Sequence, residues 1–288
     1  MSVPVPPLLT VRGRTFAWGT RTHVMGILNV TPDSFSGDGL LVIDDPVAAA
    51  VARALRMAGE GADLLDVGGE STRPGHAPVT AAEETARVVP VIEAVRAALP
   101  DLPLSVDTAK AAVAEAALRA GADLLNDVRS THPGSELAAV AATHGVPLVL
   151  MHGRRSSPSG DVVADVLADL AQALARAEAA GCPPGMLIVD PGIGFGKTPE
   201  ENLALLRDLG RLRDLGRPVL LGTSRKSTIG RVLGLPPGER LEGTLATTAL
   251  GVAAGVDIVR VHDVLANVRV ARMADAVVRG WRDPDVAR

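Results

Sequence analysis

Chemistry first suggests itself at Asp190-Pro191-Gly192-Ile193-Gly194-Phe195-Gly196-Lys197, which is entered from the apolar run Met186-Leu187-Ile188-Val189. A short run with no polar face reads as a buried parallel strand. Here it stops at a carboxylate, and glycines at alternate positions follow, a composition that lets backbone approach a ligand closely. Thr198-Pro199-Glu200 then opens a helix, with proline where a first turn tolerates it. Taken alone, the stretch is also compatible with a nucleotide-binding turn, so its meaning depends on how other strands end. Asn29, Asp66, Asp107, Asn126, His152, the 223–227 stretch and Arg260 each close an apolar run in the same manner.

These groups divide by chemistry. Asp107, Asn126 and Asp190 are acceptors and amides suited to the donor-rich edge of a nitrogen heterocycle, and an amidine-like N–C–NH2 group can pair with one carboxylate as guanidinium groups do. Thr72, Arg73, Lys226, Arg260 and His262 are anion-binding groups. The segment Gly222-Thr-Ser-Arg-Lys-Ser227 precedes a helical turn whose amides can face the same anion. It is not a Walker loop, because Gly-x-x-x-x-Gly-Lys-[Ser/Thr] is absent. The expected site is therefore bipolar, with a carboxylate and amide floor for a polar ring and a cationic wall for phosphate oxygens. Phe35 and Phe195 fall in the loops around it, either as core or as residues that stack on a ligand.

The elements that position these groups follow from a near-repeat. Gly61-Ala-Asp-Leu-Leu-Asp66 recurs as Gly121-Ala-Asp-Leu-Leu-Asn126 and as Gly255-Val-Asp-Ile-Val-Arg260. Each copy reads as a helix-ending glycine, a short turn and a buried parallel strand carrying a polar group to the open end. Strands are expected at 23–28, 104–107, 146–152, 186–189 and 218–223 as well. Helices are expected at about 46–59, 81–97, 108–120, 135–143, 161–180, 199–209, a broken 226–254 region and 263–279, all on the 3.6-residue period. Eight strand–helix units in roughly 260 residues match an α/β fold of the (β/α)8 TIM-barrel type. Residues 8–18 add a small β-hairpin before it. The competing reading is a doubly wound sheet, but its Gly-x-Gly-x-x-Gly fingerprint belongs after an early strand, and the glycines here are spaced Gly-x-Gly-x-Gly after the sixth. The whole chain, 1–288, is expected to form one domain, with the barrel at about 22–280.

Composition excludes other classes. The chain has 288 residues, 47% apolar, with a net charge of −4 and a mean hydropathy of +0.24. No basic run suggests nucleic-acid binding. One cysteine, Cys182, rules out a disulfide framework or a multi-thiolate zinc site. Neither a leader pattern nor an apolar run of ~18 residues occurs, so a cytoplasmic protein is expected, with no membrane partner.

Together the segments resemble the dihydropteroate synthase family. They are Met25-Gly-Ile-Leu-Asn-Val-Thr-Pro-Asp-Ser-Phe-Ser36, Asp66-Val-Gly-Gly-Glu-Ser-Thr-Arg-Pro-Gly75, Ser105-Val-Asp-Thr108, Asn126-Asp-Val128, Met151-His152, Asp190 to Lys197, Gly222 to Ser227 and Arg260-Val-His-Asp-Val264. They cover nearly the whole chain from residue 22, in order. Enzymes of that family condense 6-hydroxymethyl-7,8-dihydropterin diphosphate with 4-aminobenzoate, giving 7,8-dihydropteroate and diphosphate.

The resemblance implies that Asp107, Asn126, Met151, Asp190, Phe195 and Lys226 hold the pterin. It implies that Asn29, Thr72, Arg260 and His262 meet the diphosphate, with Asn29 on a Mg2+ ion, and that Phe35, Arg73, Pro74, Lys226 and Ser227 form the 4-aminobenzoate site, where sulfonamides compete. Asp107, Asp190, Lys226 and Arg260 are implied to be the catalytic set. A homodimer through the later barrel helices is also implied, with the apolar 245–256 region either making that contact or simply packing its helix. One departure is Gly153-Arg-Arg-Ser-Ser157 after Met151-His152, where the family continues with a bulkier residue. The rivals are a pterin-binding methyltransferase barrel, which holds no diphosphate, and a non-catalytic copy, which should have lost rim residues that this chain keeps.

Overall fold

A computed structural model describes residues 6–31, 44–71, 78–153 and 159–281. The chain opens with β1 (Leu9–Val11) and β2 (Arg14–Phe16), paired antiparallel. Arg12 and Gly13 between them have φ of 51° and 72°, the backbone of a two-residue hairpin turn whose twist suits its strands.

Eight parallel strands follow: β3 (His23–Asn29), β4 (Leu64–Gly68), β5 (Leu104–Asp107), β6 (Leu124–Asp127), β7 (Leu148–Met151), β8 (Leu187–Asp190), β9 (Leu220–Leu221) and β10 (Ile258–Val261). They pair in chain order from β3 to β8, while β10 lies between β3 and β9. A single bridge, Val189 to Val219, joins β8 to the residue before β9 and closes the barrel. The helices α1 (Pro46–Gly59), α2 (Ala81–Ala98), α3 (Ala111–Ala120), α4 (Leu137–His144), α5 (Val162–Ala179), α6 (Pro199–Arg207), α7 (Ser227–Leu233), α8 (Leu241–Ala253) and α9 (Val264–Arg279) alternate with the strands. The (β/α)8 barrel and its N-terminal hairpin are thus as the sequence implied.

Among the bounds that differ, three have a clear local reason. The expected 218–223 strand shrinks to two residues because Pro218 has no N–H and the Val219 N–H turns to the Asp257 carboxylate at 3.0 Å. The helix expected from 108 starts at Ala111, since the Thr108 hydroxyl accepts the Lys110 N–H at 3.2 Å and holds a turn there. The 226–254 region is two helices, α7 ending at Gly234 with φ 70°, where a left-handed residue stops a helix.

Side chains alternate along each strand. Outward residues such as Leu65, Val67, Val106, Leu125, Leu150, Val189 and Val259 join the helices in one core. Inward residues Met25, Leu64, Leu124, Val149, Ile188, Leu220 and Ile258 form a second cluster together with Leu9, Val11, Phe16 and Trp18 of the hairpin segment. The hairpin therefore plugs one end of the barrel. Two residues further along, the inward positions are Asp66, Asn126, Met151, Asp190 and Arg260. An apolar floor thus carries a polar layer, facing the mouth at the C-terminal ends of the strands. Among the described residues, no helix is long and apolar enough to cross a membrane.

Truncating the plug should cost stability and spare the mouth. Phe16 is 3% exposed, so Phe16→Ala is expected to lower unfolding free energy by about 3–5 kcal/mol, read by denaturant titration. Substrate KM values should hold in the folded variant.

Candidate active site

The mouth is built around Arg260 on β10. Its Nε donates to Asp66 Oδ2 at 2.6 Å, and its Nη2 donates to Asp107 Oδ2 at 2.8 Å. Asn126 Nδ2 donates to the same Asp66 oxygen at 2.9 Å. Asp66 is fully buried because β4 continues for two residues beyond it, so this carboxylate sits below the rim, whereas a strand-terminal position was expected. Gly68, which ends β4, keeps the mouth open: a Cβ there would lie 3.6 Å from the Asp107 Cβ and 3.9 Å from the Asn29 Oδ1.

Two carboxylates at the mouth, Asp107 and Asp190, are held in an environment that penalises charge. Burial pushes Asp107 up to about 7; Arg260 opposes the shift, and the neighbouring Asp66 charge adds to it. Burial likewise raises Asp190 to about 6, against the Gly192 amide and the Lys226 and Arg260 charges. The Gly192 N–H donates to Asp190 Oδ1 at 2.7 Å. Asn126 Oδ1 and Asp66 Oδ1 are buried acceptors without a hydrogen-bond partner among the described residues. Unmet acceptors beside two raised carboxylates mark a place where a donor-rich ligand is expected.

The sixth loop explains its glycines and its lysine. Gly192 has φ 64°, and a Cβ there would fall 1.9 Å from the His152 carbonyl oxygen, so no other residue fits. Lys197 Nζ donates to the carbonyls of His152, Gly192 and Phe195 at 3.2, 2.9 and 3.3 Å. Its role, which the sequence leaves open, is to fasten this loop to β7. Burial lowers its pKa to about 8. Asn202 on α6 completes the fastening by accepting the Gly194 N–H at 2.8 Å. Phe195 is half-buried, and Lys226 Nζ lies over its ring, 4.1 Å from the centroid, a cation–π contact.

Loop seven carries strain. Arg225 has φ 57°, a left-handed conformation that costs energy in a long side chain. It persists because Asp263 takes its Nε and Nη2 at 3.1 and 2.7 Å, Thr244 Oγ1 accepts its N–H at 3.1 Å, and Arg240 donates to its carbonyl at 3.0 Å. Lys226 and exposed Ser227 follow at the start of α7. His262 sits beside them, its Nδ1 2.9 Å from the Ser224 hydroxyl. Buried His152 points elsewhere: Nε2 meets Asp169 on α5 at 3.1 Å, and burial, with Lys197 nearby, pushes its pKa down to about 4.

Of the residues singled out in the sequence, Asn29, Asp107, Asn126, Met151, Asp190, Phe195, Lys226, Ser227, Arg260 and His262 all lie at or next to the C-terminal ends of the strands. Phe35, Thr72, Arg73, Pro74 and the stretch after Gly153 lie outside the described residues. Sequence reasoning passed over Asp263, Arg240 and Asn202, and saw Asp66 only as one rim group among several. Asp263 carried a faint signal, since it directly follows the Arg-Val-His run.

An expected magnesium ion can be tested against this donor set. Among the described residues no three His, Cys, Asp or Glu side chains gather to cage a metal. The hard amide oxygen of Asn29 lies near Asp107, both close to Gly68 at the end of β4. That fits magnesium, which keeps several waters and takes phosphate oxygens from substrate.

Fold and mouth define a small-molecule enzyme of the (β/α)8 class, with a polar heterocycle site at the usual end of the barrel. Residues 25–262 match the family described as Pterin binding enzyme. The chain is 48% identical to the dihydropteroate synthase of Clostridium beijerinckii over 94% of its own length and 100% of the relative's. The structure of Xanthomonas albilineans dihydropteroate synthase with 4-aminobenzoic acid superposes with a TM-score of 0.85 at 46% identity, covering 94% of this chain and 98% of that one. Yersinia pestis dihydropteroate synthase in complex with a sulfonamide drug gives 0.87 at 42% identity, over 94% and 99%. The chain belongs to the dihydropteroate synthase family.

Replacing Lys197 with Met keeps the stem and removes the donors, leaving three loop carbonyls short of a partner. A loss of about 1–3 kcal/mol is expected, measured by denaturant unfolding.

Proposed function

We propose that this chain condenses 6-hydroxymethyl-7,8-dihydropterin diphosphate with 4-aminobenzoate to form 7,8-dihydropteroate and diphosphate, with the pterin lying across Asp107, Asn126 and Asp190. The observation that carries the reading is the pairing of the raised carboxylates of Asp107 and Asp190 with the unmet Asn126 oxygen. The 2-amino pyrimidine edge of a pterin is an amidine-like donor set, matched to a carboxylate. Met151, 3% exposed, and Phe195 wall the ring.

The reaction breaks the bond between the pterin methylene carbon and the diphosphate oxygen, and the electron pair leaves with diphosphate. The methylene, conjugated to the ring, carries positive charge that Asp107 and Asp190 stabilise from preorganised positions. Arg260, His262 and Thr72 receive the leaving diphosphate, while Lys226 holds the pterin beside Phe195. The neutral arylamine then forms the carbon–nitrogen bond and loses a proton to water, so no dedicated base is required. Phe35, Arg73, Pro74, Lys226 and Ser227 make the arylamine subsite, which sulfonamides share. Asn29 would hold a magnesium ion, which would supply Lewis-acid charge neutralisation for the leaving diphosphate. A cytoplasmic homodimer belongs to the same proposal, supported by the exposed Leu250 on α8 and Met273 and Val277 on α9; light scattering measures the mass.

Three outcomes test the proposal. Diphosphate release should need both substrates, stop with a chelator and be inhibited by a sulfonamide; release without the arylamine would mean hydrolysis. Asp190→Asn should lower kcat by about 10²-fold or more, as loss of one preorganised group does elsewhere. The acid limb of kcat/KM should fall between about pH 6 and 7, where Asp190 and Asp107 of the free enzyme titrate. Both groups are raised and must be ionised, so activity is lost as pH falls through that window. In the bound state the N–H donors of the ring edge favour the ionised carboxylates, and the limb in kcat should lie lower. A pH-independent kcat/KM from 5 to 8 would contradict the carboxylate roles.

A further inference from the structure

We infer that Asp66, which makes no contact with substrate in the proposed reaction, is the positioning residue for both halves of the pterin diphosphate; the inference rests on the function proposed above. One oxygen of this fully buried carboxylate accepts Arg260 Nε at 2.6 Å and Asn126 Nδ2 at 2.9 Å. Each bond sets an orientation. An arginine is a rigid planar fork, so anchoring Nε from below directs the Nη end to Asp107 and the mouth, where Nη2 meets Asp107 at 2.8 Å. Only the NH2 of an amide can face a carboxylate, so Asp66 also decides which way the Asn126 amide points. The oxygen is thereby left toward the ring donors, and like Asp66 Oδ1 it is a buried acceptor without a partner among the described residues.

Asp66 further shares Arg260 with Asp107. Without it the guanidinium has one carboxylate left to follow and settles on Asp107, the group that must stay open to the heterocycle. Asn126 becomes free to turn an NH2 toward donors that need an acceptor. Both changes strike the pterin diphosphate and leave the arylamine subsite alone.

The test compares wild type, Asp66→Ala and Asp66→Asn with pterin diphosphate and 4-aminobenzoate as substrates. Asp66→Ala removes the acceptor, and kcat/KM for pterin diphosphate should fall by about 10²-fold, the cost of a misplacement of about 1 Å. KM for 4-aminobenzoate should change by less than about threefold. Asp66→Asn offers an oxygen at the same place and should recover about tenfold of that loss. Its acid limb should move to lower pH, because Asp107 loses a like-charged neighbour and keeps Arg260. A purely structural role would lower both substrates' constants alike and leave the limb in place, which overturns the assignment.

If Asp66→Ala fails to fold, Asp66→Asn decides the matter through its pH profile, and an unshifted limb refutes the role. On the unmodified enzyme, the Arg260 Nε–H resonance, assigned by its loss in Arg260→Lys, should exchange slowly with the pterin bound; rapid exchange refutes it too. Wild-type enzyme that makes no dihydropteroate would sink the functional reading itself. Product formation by wild type and Asp66→Ala at equal rates would sink only the role of Asp66.

Discussion

A guanidinium held between the carboxylates of Asp66 and Asp107 governs the mouth of this barrel. Closing eight strands obliges every inward position to be filled, and above the apolar floor these include Asp66, Asn126, Asp190 and Arg260 beside Met151. Charges in such a place persist only when paired, and stripping one member from a buried pair costs about 3–5 kcal/mol because the other is left uncompensated. Arg260 answers Asp66 and Asp107 together. Burial outweighs the nearby cations and still lifts Asp107 and Asp190 toward neutrality. In the proposed complex a ligand edge rich in N–H donors meets these desolvated acceptors.

Rigidity around that pair comes from the two loops on the following strands. Loop six packs against the His152 carbonyl so closely that only glycine fits at 192, and Lys197 uses its donors on main-chain oxygens. A phosphate-seeking lysine in a Gly-rich turn thus becomes a fastener. Loop seven is bent through Arg225 and held by Asp263, Thr244 and Arg240. The strain is local and the restraints are many, the usual condition for strained backbone at a working site. The result is that Lys226 and Phe195 are presented by main chain fixed in these two loops, with His262 beside loop seven at Ser224.

Much of this is legible in the amino-acid sequence. The period-two alternation places Leu64 and Asp66, Leu124 and Asn126, Ile188 and Asp190, and Ile258 and Arg260 on common faces, and the glycine that opens each repeat marks where a helix gives way to a strand. Those signals are local, since they depend on φ/ψ preference and on which face of a strand a residue takes. The strand ends, the acceptor and cation groups on them and the barrel class follow from such signals.

Closure decided the rest. Arg260 lies 194 positions from Asp66 and 153 from Asp107, and no pattern along the chain says which carboxylate a given arginine will meet. Lys197 was ambiguous for the same reason: its partners include a carbonyl 45 residues away, and carbonyls carry no side-chain identity to read. The depth of Asp66, one layer below the rim, depended on how far β4 runs beside β3 and β5. Residue type and spacing determined which groups reach the mouth; the shear and packing of the closed barrel determined which of them touch, which are desolvated, and which are left with an acceptor to offer.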